Sequence, residues 1–424
     1  MFLLMSTSPS ELLLRPVRHV VGDDVRRRLA LLVVLAGVVG ALAGLAYMAT
    51  VELVARVLGP EHAGVLPHAI ILVAVGGSVT LLTRWLGDPG DVELLVDNIH
   101  VDGGRQDMRN LVSLIPTSVL CVAAGGPLGP EAPVVNTTGT LASWMGLRAG
   151  FDRDVRRIVT ITGMAAGFTV LFGAPLGSAV FALEILHRRG LEYYEALIPA
   201  AVGSLCGYAV GAVALGVGLH PLWSFPGPTA ITTTDLGYAV GAGVAGALIA
   251  AAFTYATIGA RAVADRLPNG TRPLIGGALI AGLAWWSPYA LTNGDLQIDK
   301  LTLAGAAGSV LLVAGIAKFA SAVVALASGW RGGFIIPLFF IGYCLAGAAA
   351  DHLPGSNRWV LAAALMVAIN VGVTKTPLGS TLVVTEIASM ALLPTTLVAA
   401  LVSLLLTNRV GLIDSQRRRF HTDP

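Results

Sequence analysis

Apolar residues run along the chain in long blocks. A bilayer core takes about 20 apolar residues per helix. Runs of that order cover about 29–58, 67–86, 110–128, 194–219, 235–263, 274–292 and 302–327. Shorter apolar stretches fill about 155–172, 176–187, 333–350, 357–373, 377–392 and 395–407. The pattern predicts an all-α polytopic membrane protein. Glycine and proline interrupt many of the runs, and short broken segments predict helices that stop at mid-depth. Such ends are tolerated only where the exposed backbone lines a protected cavity, which favours a transporter or channel over an anchor. The charged stretch 88–109 reads as a polar connection between spans.

Composition supports this reading. Of 424 residues 55% are hydrophobic and 12% are charged, against about 25% charged in an ordinary soluble domain. A soluble enzyme, a nucleic-acid-binding domain and a disordered protein are thereby excluded. The net charge of +2 gives no bulk field that would attract nucleic acid. Cys121, Cys206 and Cys344 lie far apart in apolar stretches and read as small core residues. Arg15, Arg18 and Arg26 to Arg28 precede the first span, while Arg409 and Arg417 to Arg419 follow the last. Basic flanks stay in the cytoplasm, so both termini are expected there, in a multi-pass protein of the cell (plasma) membrane. The expected organisation is a cytoplasmic segment 1–28, a transport domain 29–411 with repeats at about 29–219 and 235–411, and a short cytoplasmic tail 412–424. Neither a secretory signal nor a C-terminal regulatory domain is expected.

The repeat is carried by two motif pairs. Residues 175–184 read PLGSAVFALE and residues 377–386 read PLGSTLVVTE, an offset of 202. Before each copy, GPEAP ends at Pro133 and GFIIP ends at Pro337, an offset of 204. Recurrence in the same order at nearly the same offset predicts a duplicated membrane unit. In many transporters such units are inverted, and the site forms where their broken helices meet.

Each motif sets glycine and proline at the start of an apolar run. Proline suits the first turn of a helix, and the first N–H groups there lack intrahelical partners at the positive end of the dipole. Several such ends aimed at one point would hold an anion without a full positive charge, as passage requires. Candidate starts lie at 129–134, 333–338, 175–178 and 377–380. Glu131 is the only carboxylate between Asp107 and Asp152. At a helix N-terminus it could fill an anion site and leave when protonated, as a gate; the alternative is a carboxylate capping a helix at the membrane surface. Glu184 and Glu386 end matching helices and read as solvated or interfacial. Lys318 and Lys375 are expected to snorkel or to pair with a carboxylate. His187 reads as a solvated interfacial residue, with a proton relay as the rival reading. No Walker, Rossmann, G-x-S-x-G or H-E-x-x-H pattern occurs, so no enzyme activity and no cofactor are expected.

At these motifs the chain resembles the CLC family of chloride channels and chloride/proton antiporters, over about 30 to 415. Gly129-Pro130-Glu131-Ala132-Pro133 is similar to the family's G-[RK]-E-G-P, with Glu131 at the gating position. Residues 162–184 resemble its A-A-G and A-P-L-[AG]-G segments, and 374–386 the matching second-half segment. Gly333-Phe334-Ile335-Ile336-Pro337 resembles G-x-F-x-P.

The resemblance implies a CLC-like fold of two repeats of tilted and broken transmembrane helices, assembled as a homodimer in the lipid bilayer. It also implies transport of chloride or another small anion, passive or coupled to protons. Amides at Gly129, Pro130, Ala132, Gly333, Phe334 and Ile335 would bind the anion, and a proton path would use Glu131 and Glu184. Three departures stand out. Where the family's G-S-G-I-P is expected, Pro89 (or Asp88) replaces the serine; Ile413 replaces the pore tyrosine; and Ile185 replaces the internal proton glutamate. Anion selectivity is left open, with fluoride as one alternative and a non-conducting scaffold as another.

Overall fold

The computed structural model describes residues 23–62, 64–90, 92–101, 104, 106–187, 194–216, 223, 225–228, 230–268, 270–413 and 416. Arg15, Arg18 and Arg417 to Arg419 lie outside them. Among the described residues every regular element is helical. The first half holds α1 (Asp23–Leu58), α2 (Val65–Leu86), α3 (Val92–Val101), α4 (Met108–Ala123), α5 (Glu131–Arg148), α6 (Arg153–Phe172), α7 (Pro175–Glu184) and α8 (Leu197–Leu215). The second holds α9 (Thr233–Ala264), α10 (Arg272–Trp286), α11 (Asp295–Leu303), α12 (Gly308–Ser328), α13 (Ile335–Ala350), α14 (Arg358–Thr374), α15 (Pro377–Ile387) and α16 (Leu393–Leu406).

The second eight repeat the first element by element. A very long helix opens each half (36 and 32 residues), a short one stands third (10 and 9), and a ten- or eleven-residue helix stands seventh. Among the described residues six helices are long and apolar enough to cross a membrane. Several others, including α4, α13 and α14, have 10–17 residues. The boundaries follow local chemistry. Asp107 and Asp152 accept first-turn amides of α4 and α6, Thr232 and Asp235 cap α9 reciprocally, and proline starts α7 and α15.

The pair α7 and α15 fixes how the halves meet. The Glu184 carboxylate accepts from the amides of Leu378 (3.2 Å) and Gly379 (2.6 Å) at the start of α15. The Glu386 carboxylate accepts from Leu176 (3.1 Å) and Gly177 (2.7 Å) at the start of α7. Each helix thus presents its C-terminal glutamate to the N-terminus of the other, so the two run antiparallel about a two-fold axis. The repeats are therefore inverted, which duplication in the sequence could not show. This corrects the expectation that Glu184 and Glu386 are solvated ends: Glu184 is 1% exposed, and both carboxylates cap a helix start. Replacing Glu386 by alanine leaves two amides without their acceptor. The expected result is a lower Tm for the detergent-purified protein, from a loss of about 1–3 kcal/mol.

Several further expectations change. Part of the connection at 88–109 is helical, as α3. Its run of Val92-Glu93-Leu94-Leu95-Val96 is too short to read as a span. Helix α5 falls in no apolar run because Asn136, Thr137, Thr138, Thr140 and Ser143 interrupt it, yet all five are buried among other helices. Lys318 is fully buried and neither snorkels nor pairs with a carboxylate among the described residues. Its ammonium donates to the carbonyls of Leu291 (2.5 Å) and Thr292 and lies 5.0 Å from the Phe340 ring centre. Lys375 is also buried and so does not snorkel; it ends α14 and donates to the carbonyls of Gly372 and Thr407. His187, expected at an interface, is buried with its ring 5.0 Å from that of His100.

Candidate functional site

Helices α5 and α13 begin against one another. The loops before them are joined by a two-residue bridge in which Gly129 donates to the Gly333 carbonyl (2.7 Å) and Gly333 donates to the Gly129 carbonyl (2.6 Å). The helices open in the same register. Glu131 and Ile335 come first, and Pro133 and Pro337 stand third in each. Proline has no N–H, so the free donors of each first turn are confined to the residues before it.

Glu131 is 1% exposed. Its side chain crosses to the opposite helix, where Oε1 accepts from the Ile336 amide at 2.6 Å. Oε2 is buried without a hydrogen-bond donor. A carboxylate on the first-turn amide of a facing helix occupies a place suited to any small anion. A side chain at Gly129 or Gly333 would collide with this carboxyl group, so both positions need glycine for the close approach. Beneath α13, Asn370 of α14 donates to the Ile335 carbonyl (3.1 Å). Asn370 Oδ1 in turn accepts from Thr374 (3.1 Å) and Ser380 (3.3 Å), which ties the helix start to α15.

Beside Glu131 lies a cavity of about 20 Å³, walled by Val96, Ala132, Val135, Phe168, Ile185 and Phe334 among others. That is room for about one water-sized particle, and its walls are apolar apart from Glu131 and backbone. A second, more polar cavity of about 60 Å³ shares Ala132 with the first and is lined also by Asn136, Arg261 and Arg331.

The structure sorts the residues singled out in the sequence. Glu131, Ala132, Gly333, Phe334 and Ile335 converge on one cavity. Gly129 and Gly333 spend their amides on each other, and Pro130 has none to give. The cavity is lined by Ile185 and not by Glu184, whose carboxylate faces α15. Pro89 is buried in the segment between α2 and α3, next to Asp88, which forms an ion pair with Arg331 at 2.6 Å. Ile413 is buried in the core. Sequence reasoning missed Ile336, whose amide holds Glu131. Counting donors back from Pro337 would have found it. It also missed Asn370, which no sequence signal marked. Among the described residues no three His, Cys, Asp or Glu side chains converge as metal ligands.

The family model of the voltage gated chloride channels matches residues 90–408, three quarters of the chain, and spans both helix starts. The chain belongs to the CLC family. Its membership brings the general function of that family, anion transport across a membrane by a multi-pass protein, into line with the fold. A chloride/fluoride channel protein of Pseudomonas syringae pv. tomato is 30% identical over 366 residues, 83% of this CLC chain and 79% of that protein. An uncharacterized protein of Methanocaldococcus jannaschii is 26% identical over 83% of this chain and 86% of its own length. Two solved structures share the fold at 19% identity. A CLC-type fluoride/proton antiporter superposes with a TM-score of 0.84 over 94% of this chain and 100% of that one. A slow cyanobacterial Cl⁻/H⁺ antiporter gives 0.79 over 90% and 94%.

Proposed function

We propose that this protein carries chloride, or a small inorganic anion like it, along a mid-membrane path that Glu131 closes. The observation that carries the reading is the bond from the Ile336 amide to the Glu131 carboxylate, across the junction of two inverted helix starts. While charged, the carboxylate fills the place an anion would take. Protonation removes the charge that holds it there, and an incoming anion then competes for the same donors. Amides of Ala132, Phe334, Ile335 and Ile336 would bind that anion through backbone dipoles, loosely enough for release.

Glu131 is thus both gate and proton carrier, and flux is passive or proton-coupled according to which side supplies the proton. Glu184 is left to its capping task, since its two oxygens are taken by Leu378 and Gly379. Fluoride is the second reading of the cargo. Pro89 and Ile413 offer no hydroxyl where the family's serine and tyrosine are expected, and the Pseudomonas relative is named for both ions. The transport domain is 29–411, in two repeats. In this reading the protein is one of the plasma membrane with both termini in the cytoplasm, supported by the basic flanks Arg26 to Arg28 before the first span and Arg409 after the last. The working unit is a homodimer with one path per subunit.

Purified protein in liposomes tests the reading, with efflux of fluoride, chloride, bromide and nitrate measured in turn. At least one of the smaller anions is expected to leave well above the rate of empty liposomes. No flux of any anion at any pH would replace transport with the scaffold reading.

A further inference from the structure

We infer that Arg331 and Arg261 form a second anion-binding site, a charged antechamber from which a small inorganic anion is passed to the Glu131 seat. The inference rests on the transport reading above and adds a site to it. It starts from the cavity of about 60 Å³ lined by Gly90, Ala132, Pro133, Asn136, Arg261 and Arg331. Ala132 also walls the cavity beside Glu131, so the two spaces are separated by the first turn of α5.

Arg331 stands two residues before the Gly129–Gly333 bridge partner and is anchored on three sides. Its backbone amide donates to Cys121 Sγ (3.4 Å), Nη1 donates to the Gly90 carbonyl (3.2 Å) and Nη2 to Asp88 Oδ1 (2.6 Å). The third guanidinium nitrogen, Nε, is buried with no acceptor. A buried donor without a partner is costly, and an anion in the adjoining cavity supplies one. Arg261, at the end of α9, contributes a second positive charge to the same wall, and the amide side chain of Asn136 is a neutral polar group beside it.

Asp88 sets the strength of the site. An unopposed buried arginine would hold an anion too tightly for passage, but Arg331 is shared with a carboxylate that is itself 74% exposed. Charge is thereby offered where side-chain hydroxyls are lacking, since the neighbour of Asp88 is Pro89.

The ion pair makes the test discriminating. Arg331→Gln and Asp88→Asn both remove the Arg331–Asp88 ion pair, so a purely structural role moves both variants the same way. The antechamber role moves them in opposite directions. In liposomes at fixed symmetrical pH, initial chloride and fluoride efflux is followed against anion concentration. Arg331→Gln is expected to raise the half-saturating concentration roughly tenfold, and Asp88→Asn to lower it by about threefold. Arg331→Lys keeps the charge but loses the fork and should fall between wild type and Arg331→Gln. Should Arg331→Gln fail to reconstitute, Arg331→Lys and the exposed Asp88→Asn still give opposite signs. Shifts of the same sign, or none, with wild-type flux intact overturn this site alone. No anion flux in the wild type overturns the transport reading and this site with it.

Discussion

Glu131→Gln is expected to abolish the pH dependence of anion flux and to hold the path in its open state. Glutamine has the shape of a protonated glutamate and cannot take up or release a proton. Its amide oxygen can still accept from Ile336, yet the interaction loses its charge. A hydrogen bond to a charged group contributes about 1.5–3 kcal/mol against about 0.5–1.5 for a neutral one, so neutralisation should raise flux at alkaline pH about five- to tenfold. Toward acid pH the wild type should approach the variant, since its own carboxylate is then protonated. Any proton movement driven by the anion gradient should vanish in the variant. Efflux from liposomes at stepped pH checks this; a Glu131→Gln protein that keeps the wild-type pH profile would show that the gate lies elsewhere.

The second large effect is steric. Helices α7 and α15 touch backbone to backbone through two glycines. A Cβ at Gly177 would stand 2.5 Å from the Val383 amide nitrogen, and one at Gly379 would stand 2.6 Å from the Phe181 Cα. Both obstacles are main chain and cannot swing aside. Nor can the helices move apart freely, because Glu184 and Glu386 clamp each to the start of the other. Overpacking a close contact costs about 1–3 kcal/mol even when side chains can adjust, and here they cannot. Gly379→Val should therefore fail to give monodisperse protein, and Gly177→Ala should lower Tm measurably. Gly211→Ala on α8, where a Cβ meets nothing within 4 Å, is the matched control and should leave Tm unchanged or slightly higher. Equal melting of Gly177→Ala and Gly211→Ala would contradict this packing.

Much of this architecture was legible in the sequence, for identifiable reasons. Apolar runs marked most spans, because the hydrocarbon core imposes a length and a composition on exposed helices. Proline and glycine marked all four helix starts, since both residue types are needed wherever a broken helix begins close to another. Helix α3 escaped notice, and α5 was marked by its start at 129–134 but by no apolar run, because burial by neighbouring helices relieved its length of the need to be apolar. Asn136, Thr137 and Thr138 meet protein, and no hydropathy pattern registers that. The same blindness hid the roles of Glu184, Glu386 and Lys318. A carboxylate or ammonium in an apolar run reads as exposed until its partner, an amide or carbonyl distant in sequence, is located. Duplication was visible in the two PLGS copies, whereas inversion needed the reciprocal bonds between them. Among the residues read as the site, Glu131, Phe334 and Ile335 are brought to one cavity by the structure. The donor that engages Glu131 was misplaced by one residue, and Gly129 and Pro130 were counted as donors although one amide is spent and the other does not exist.

Competition between Glu131 and the anion for one set of backbone amides is the central claim. Calorimetric titration of chloride and of fluoride into purified wild type and Glu131→Ala, repeated across pH, tests it most directly. The account predicts that wild-type affinity for the transported anion rises as the pH falls, while the variant binds it more tightly at neutral pH and without pH dependence. Equal affinities with the same pH dependence in both proteins would mean that the carboxylate and the anion do not share a seat, and would contradict the account.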